Sequence, residues 1–194
     1  MLISPLSLAG AFEITTTVHG DSRGEFVEWL RMDELSHTTG HAFALAQANL
    51  SRSARGALRG IHFADVPPGQ AKYITCAVGR ILDFIVDIRV GSPTFGEWVS
   101  VELSGENRNA VFLAEGLGHA FLSLEDDTVV TYLVSDVYRP DKEHGINPLD
   151  PAIGLKFPLP REAIQTSPKD AEAPGLMEAQ KLGLLPLWSA GEGS

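Results

Sequence analysis

The chain has one cysteine, Cys76, in 194 residues, so no disulfide can form within it, and the default expectation is a reducing, cytoplasmic setting. No apolar run approaches the roughly 20 residues needed to span a bilayer. The opening MLISPLSLAGAFE lacks the basic flank and unbroken apolar stretch of a secretory leader. Positive charge is also scarce, with 15 basic against 25 acidic residues and a net charge of -10. That balance excludes general binding to nucleic acid or an anionic membrane, because no basic excess exists to neutralise phosphates. It leaves room for a small phosphorylated ligand, which needs only a few arginines. Long acidic or basic runs, low-complexity tracts and internal repeats are missing too.

What is present fits one globular domain. Hydrophobic residues make up 44% and charged residues 21% of the chain, and a chain of this length buries about 70% of its unfolded surface. The 19 glycines and 12 prolines are spread throughout, as many short strands with tight turns require. Ile81 to Val90 alternates with period two: Leu82, Phe84, Val86, Ile88 and Val90 take one side, with Asp83, Asp87 and Arg89 on the other. Further strands are expected at Lys72 to Val78, Trp98 to Leu103, Ala110 to Leu113, Ala120 to Leu124 and Thr128 to Val134. The last two are expected to form a hairpin across Glu125-Asp126-Asp127. Helical pattern is confined to Met32 to Ser36 and to Ala171 to Leu184. Short antiparallel strands in one domain predict an all-β sandwich or jelly roll with short peripheral helices. The expected core runs from about residue 10 to 160, with a C-terminal helical segment over about 161 to 194.

Several segments fit one pattern. They are Asp21-Ser22-Arg23-Gly24-Glu25-Phe26 with Glu28, Gln47-Ala48-Asn49, Leu58-Arg59-Gly60-Ile61-His62-Phe63 and Gln70-Ala71-Lys72. Then come Asp87-Ile88-Arg89-Val90-Gly91-Ser92-Pro93-Thr94-Phe95-Gly96, Glu115-Gly116-Leu117-Gly118-His119-Ala120-Phe121, Tyr132, Tyr138 and Glu143. Together, and in this order, they resemble the dTDP-4-dehydrorhamnose 3,5-epimerase family over nearly the whole chain. The resemblance implies a cupin-type jelly roll, a homodimer, a dTDP-4-keto-6-deoxyhexose substrate, and no metal or organic cofactor.

Epimerisation beside a ketone needs a base on one face, an acid on the other, and a cation or donor at the enolate oxygen. By resemblance His62 is the base. An imidazole, with an ordinary pKa of about 6.5, is mostly neutral near pH 7. A carboxylate on its other nitrogen would fix its tautomer, and the resemblance assigns that role to Asp170. Tyr132 would be the acid, since a phenol keeps its proton at neutral pH yet can yield it to a carbanion. Lys72 would hold the enolate oxygen; losing one such donor costs about 3–4 kcal/mol of barrier. The resemblance gives substrate-binding roles to Arg23, Phe26, Glu28, Gln47, Asn49, Arg59, His119, Tyr138, Glu143 and Lys169.

Plainer readings compete with these. His19, His37, His41 and His144 are taken as structural or surface residues, Cys76 as a small core residue, and Arg89 as the ion-pair partner of Asp87. Asp170 after Ser-Pro-Lys could cap a helix, Tyr132 could simply pack, and Lys72 could be a solvated strand-end lysine. The family's usual proline and glycine are replaced by Ala114 and Ala120, which could alter the pocket near His119. A metal-dependent cupin enzyme is a further alternative, but Ala64 interrupts the usual His-x-His pair after His62. Epimerisation at C3 only or C5 only would use the same base and acid.

Overall fold

Each strand in this chain leaves one sheet and usually enters the other. The structure, a computed structural model, describes residues 1–189. Its strands are β1 (Leu2–Pro5), β2 (Ala11–Thr15), β3 (Val18–Asp21), β4 (Gly24–Val27), β5 (Gln47–Ser53), β6 (Leu58–Ala64), β7 (Lys72–Val78), β8 (Arg80–Asp87), β9 (Trp98–Ser104), β10 (Ala110–Leu113), β11 (Leu117–Ser123), β12 (Thr128–Val134) and β13 (Glu143–Gly145). Among the described residues three short α-helices accompany them, α1 (Met32–Thr39), α2 (Pro168–Ala171) and α3 (Leu176–Lys181), with one 3-10 turn at Arg161–Ala163. One sheet runs β1-β2-β10-β7-β12-β5, the other β13-β6-β11-β8-β9, and β3 pairs only with β4. Two antiparallel sheets linked by repeated crossovers form the expected jelly-roll sandwich.

Period-two alternation gives each sheet two buried faces. Ile74, Ile81, Ile85, Val111, Phe121 and Val130 fill the space between the sheets. On the other side of β8 and β11, Phe84, Val86, Ala120 and Leu122 meet Ile146, Ile153, Ile164 and Leu176 from the C-terminal segment. Tyr73, Phe112 and Leu133, on the outer face of the larger sheet, are covered by Leu35 of α1 and by Phe43. The polar positions of β8 therefore never meet solvent: Asp83 is 1% and Asp87 0% exposed.

Three expectations need correction. Residues 117–123 and 128–134 do not pair as a hairpin. Both edges of β11 are taken by β6 and β8, so the chain crosses at Glu125 and β12 pairs with β5 and β7. The hydroxyls of Ser123 and Thr128 donate to the Glu125 carbonyl at 2.8 and 2.9 Å and fix that crossing. Ala171 to Leu184 is not one helix: Pro174 and Gly175 interrupt it, and α3 starts anew where Leu176 N donates to Asp150 Oδ2 at 2.7 Å. The sandwich begins before residue 10, because β1 joins the sheet. Its second strand, β2, is interior to that sheet, flanked by β1 and β10. The end of the expected helical segment, residues 190–194, lies outside the described residues.

An irregularity in β6 sets up everything that follows. His119 of β11 stands opposite His62, but Phe121 stands opposite Arg59, so Gly60 and Ile61 together face Ala120. This is a β-bulge. In a regular strand, residues 59 and 62 would point to opposite faces. The extra residue turns Arg59 and His62 to the same side, while Leu58, Ile61 and Phe63 join the apolar layer behind. Gly60 has φ 121°, and a Cβ there would lie 2.5 Å from the Ala120 methyl. Ala120 therefore packs behind the sheet under Gly60 and does not face the cavity beside His119.

Candidate active site

A cavity of about 410 Å³ opens between the two sheets. Alternate residues of β5 supply Gln47, Asn49 and Ser51, and the bulged β6 supplies Arg59 and His62. Gln70 and Lys72 enter at the start of β7, His119 and Phe121 from β11, and Tyr132 from β12, with Tyr138 and Glu143 at the mouth. A connected space of about 450 Å³ shares Arg59, His62, Tyr132, Tyr138 and Glu143 and adds Lys169 and Asp170. His62 and Tyr132 thus line the same space, as do eleven of the fourteen residues singled out in the sequence, counted over the two connected parts.

His62 Nε2 lies 2.7 Å from Asp170 Oδ1. Asp170 is 4% exposed, whereas the His62 side chain is 40% exposed to the cavity. Asp170 does not cap its helix; Ser167 does, accepting from Asp170 N at 3.0 Å. Burial pushes the Asp170 carboxyl upward, but hydrogen bonds from His62, Ser167 and the Gly60 amide, with the imidazole's charge, outweigh it and hold the group below the usual carboxylate range. The result is an ionised acceptor that orients the imidazole.

A second histidine–aspartate pair sits deeper. His119 Nε2 lies 2.7 Å from Asp83 Oδ2, and Asp83 Oδ1 is buried with no partner. Sequence reading did not assign Asp83 a role. The signal was an acid between Ile81 and Ile85, which share its face with no solvent to receive it.

Lys72 is 6% exposed, so it is not a solvated lysine. Burial lowers its ammonium from 10.5 to about 8, although the charge of Glu143 opposes the shift. Its Nζ donates to Gln70 Oε1. Burial also raises the Tyr132 phenol; Arg59 draws it down and Glu143 pushes it up. The cavity thus holds an oriented imidazole, a phenol that stays protonated, and a desolvated ammonium.

Three residues are not brought here. Arg23, Phe26 and Glu28 lie on or just after the β3–β4 hairpin and do not line either part of the cavity. Phe26 is 68% exposed, and Arg23 pairs with Asp21 at 2.5 Å on the surface. Of the histidines taken as structural, His41 pairs with Glu115 at 3.0 Å and His144 with Asp65 at 2.6 Å. Among the described residues no group of three or more His, Cys, Asp or Glu is arranged to hold a metal. A larger and more open groove of about 550 Å³ between β1 and α1 carries no such constellation.

Residues 5–178 match the family described as dTDP-4-dehydrorhamnose 3,5-epimerase. The chain belongs to that epimerase family. It is 51% identical to a dTDP-4-dehydrorhamnose 3,5-epimerase of Mycolicibacterium smegmatis, covering 97% of this chain and 92% of that one. It is 50% identical to a dTDP-4-dehydro-6-deoxyglucose 3-epimerase of a Streptomyces species, covering 96% and 94%. The solved structure of ChmJ, a 3'-monoepimerase from Streptomyces bikiniensis in complex with dTDP-quinovose, superposes with a TM-score of 0.90 at 48% identity, covering 95% of this chain and 92% of that one. The family fold is the sandwich described above. No helix among the described residues is long and apolar enough to cross a membrane.

Proposed function

We propose that this cavity epimerises a dTDP-4-keto-6-deoxyhexose at C3 and C5 without a metal or organic cofactor. The observation that carries the proposal is the His62–Asp170 pair lining one space with Tyr132 and the buried Lys72. His62 takes the proton from the carbon beside the C4 ketone, and the C–H electron pair becomes an enolate. The Lys72 ammonium neutralises the charge at the enolate oxygen. Tyr132 returns a proton to the opposite face, and solvent restores both groups. Arg59 and Lys169 are placed for the diphosphate, and Gln47, Asn49, His119, Tyr138 and Glu143 for the rest of the nucleotide sugar.

For Arg23, Phe26 and Glu28 to touch substrate, their hairpin must reach a second copy. The exposed Phe26 and the isolated β3–β4 pair support a homodimer built that way, with the chain acting as one domain in the cytoplasm. Sedimentation of the wild type at micromolar concentration should give a dimer; a monomer with full activity would remove these three residues from the site.

Epimerisation at C3 alone is the second reading, favoured by the 50% identity to a 3-epimerase. Turnover in heavy water separates the two. Deuterium at C3 and C5 supports double epimerisation, deuterium at C3 alone the second reading, and no incorporation at either carbon overturns both.

A further inference from the structure

We infer that Gln70 is a positioning residue, whose side-chain amide holds the Lys72 ammonium on the cavity and apart from Glu143. This rests on the reading of Lys72 as the group that meets the enolate. Gln70 lines the cavity and is 8% exposed. Its Nε2 donates to the Asp136 carbonyl at 3.1 Å and to Glu143 Oε1 at 3.3 Å, and its Oε1 accepts from Lys72 Nζ. The Asp136 carbonyl can only accept, so the NH2 end must face it and the oxygen must face Lys72. The amide cannot flip without leaving two buried groups unpaired.

The backbone beneath is equally fixed. Gly69 N donates to Asp65 O at 2.8 Å and Ala71 N to Ser135 Oγ at 2.8 Å, on either side of Gln70. A Cβ on Gly69 would lie 2.5 Å from Glu115 Cβ, so the segment has no room to shift.

A neutral amide between an ammonium and a carboxylate does what neither charged partner could. It accepts from Lys72 without cancelling its charge and donates to Glu143 without competing for the substrate. Among the described residues Lys72 has no carboxylate at ion-pair distance. Burial works against its charge, and the Gln70 oxygen is the partner that steadies it there. With that oxygen removed, the ammonium would either lose its proton more readily or swing towards Glu143. The other charged or titratable groups facing this space are Arg59 and His62 on β6, His119 on β11 with Asp83 behind it, Tyr132 on β12 and Tyr138 at the mouth; Glu115 lies behind the strand, accepting from Ser135.

The test is the pH profile of kcat for the wild type, Gln70→Met, Gln70→Glu and Lys72→Met, with unfolding midpoints measured alongside. The wild type should lose kcat as pH rises through about 8, where Lys72 gives up its proton. Gln70→Met should lower kcat about tenfold or more, with KM nearly unchanged, and move that limb to lower pH. Gln70→Glu should move it to higher pH, because a carboxylate beside the ammonium favours the charged form. If both folded variants keep the wild-type limb and KM-to-kcat balance, Gln70 is only structural and the inference fails. If Lys72→Met itself keeps full kcat, the enolate role of Lys72 fails instead.

Discussion

Asp83 and Asp87 are both buried on β8, on the same face, and both pair with a basic side chain, yet they are solvated in opposite ways. Asp87 accepts from Arg89 Nε and NH2 at 2.8 Å each, from Ser92 Oγ at 2.6 Å and from Thr94 Oγ1 at 2.6 Å. Arg89 in turn donates to Ala9 O at 3.0 Å and stacks 4.4 Å above the Trp188 ring. Both carboxylate oxygens of Asp87 are engaged, and the clasp ties the loop before β2 and the segment around Trp188 to the sandwich. Asp83 holds one histidine and leaves an oxygen unpaired, and that histidine faces a cavity. The Asp170–His62 pair is likewise closed on one side and open on the other. Full satisfaction gives rigidity; a pair with one open edge keeps capacity for a ligand.

The largest expected effect tests the open pair. His62→Ala should lower kcat about 10²–10⁴-fold and abolish deuterium wash-in, measured per folded molecule. Wild-type turnover in that variant would mean the pair has no part in proton transfer.

Lys72→Met comes next and should split function from stability. Turnover should fall about 10²–10³-fold. The folded chain, however, binds the Lys72 proton less tightly than the unfolded chain does, so charging it costs stability below pH 8 and not above 10.5. The wild type should therefore gain stability as pH rises across that window. The variant should be more stable at pH 7, by at most about 3 kcal/mol, with a flat profile there.

The clasp should behave in the reverse way. Arg89→Ala leaves a buried carboxylate without its cation and should cost about 3–5 kcal/mol, lowering the midpoint by about 10 °C. Activity per folded molecule should stay within about twofold, since no clasp residue touches the cavity. Burial alone would raise Asp87, but Arg89, Ser92 and Thr94 hold it below the usual range. Its contribution is present above about pH 4 and is lost as pH falls through the lowered value, so Asp87→Asn should flatten the acid limb of stability.

The smallest stability effect is expected at Arg23→Ala, whose side chain is 88% exposed. Its unfolding midpoint should not move. A rise in KM there, with no change in folding, would place the hairpin against a second copy's cavity.

Much of this architecture was legible because it follows from pairwise pattern. The strands expected at residues 72–78 and 128–134 are reproduced by the structure to the residue. The clasp was readable as Asp87 beside Arg89 in one strand. What could not be read was set by partners distant in sequence. The β11–β12 hairpin was expected from a short polar turn, but which sheet a strand joins depends on which edges are already occupied. Asp83 looked like the polar side of a strand because a sequence cannot say that both sides of a sheet are covered. Gln70 drew attention only as part of a motif; its value lies in a carbonyl at Asp136 and a carboxylate at Glu143, both brought by folding.

The bulge at Gly60 and Ile61 carries one last implication. Facing in a strand is a matter of odd and even, and one surplus residue changes the parity of everything beyond it. Pairing β6 regularly at its full length, without the bulge, would leave composition, length and charge untouched, yet would turn the imidazole of His62 into the apolar layer beside Phe84 and hand its place to Ile61. Whoever grafts this strand onto another scaffold must either keep the bulge or drop Gly60 with it, so that the arginine and the histidine still share a face.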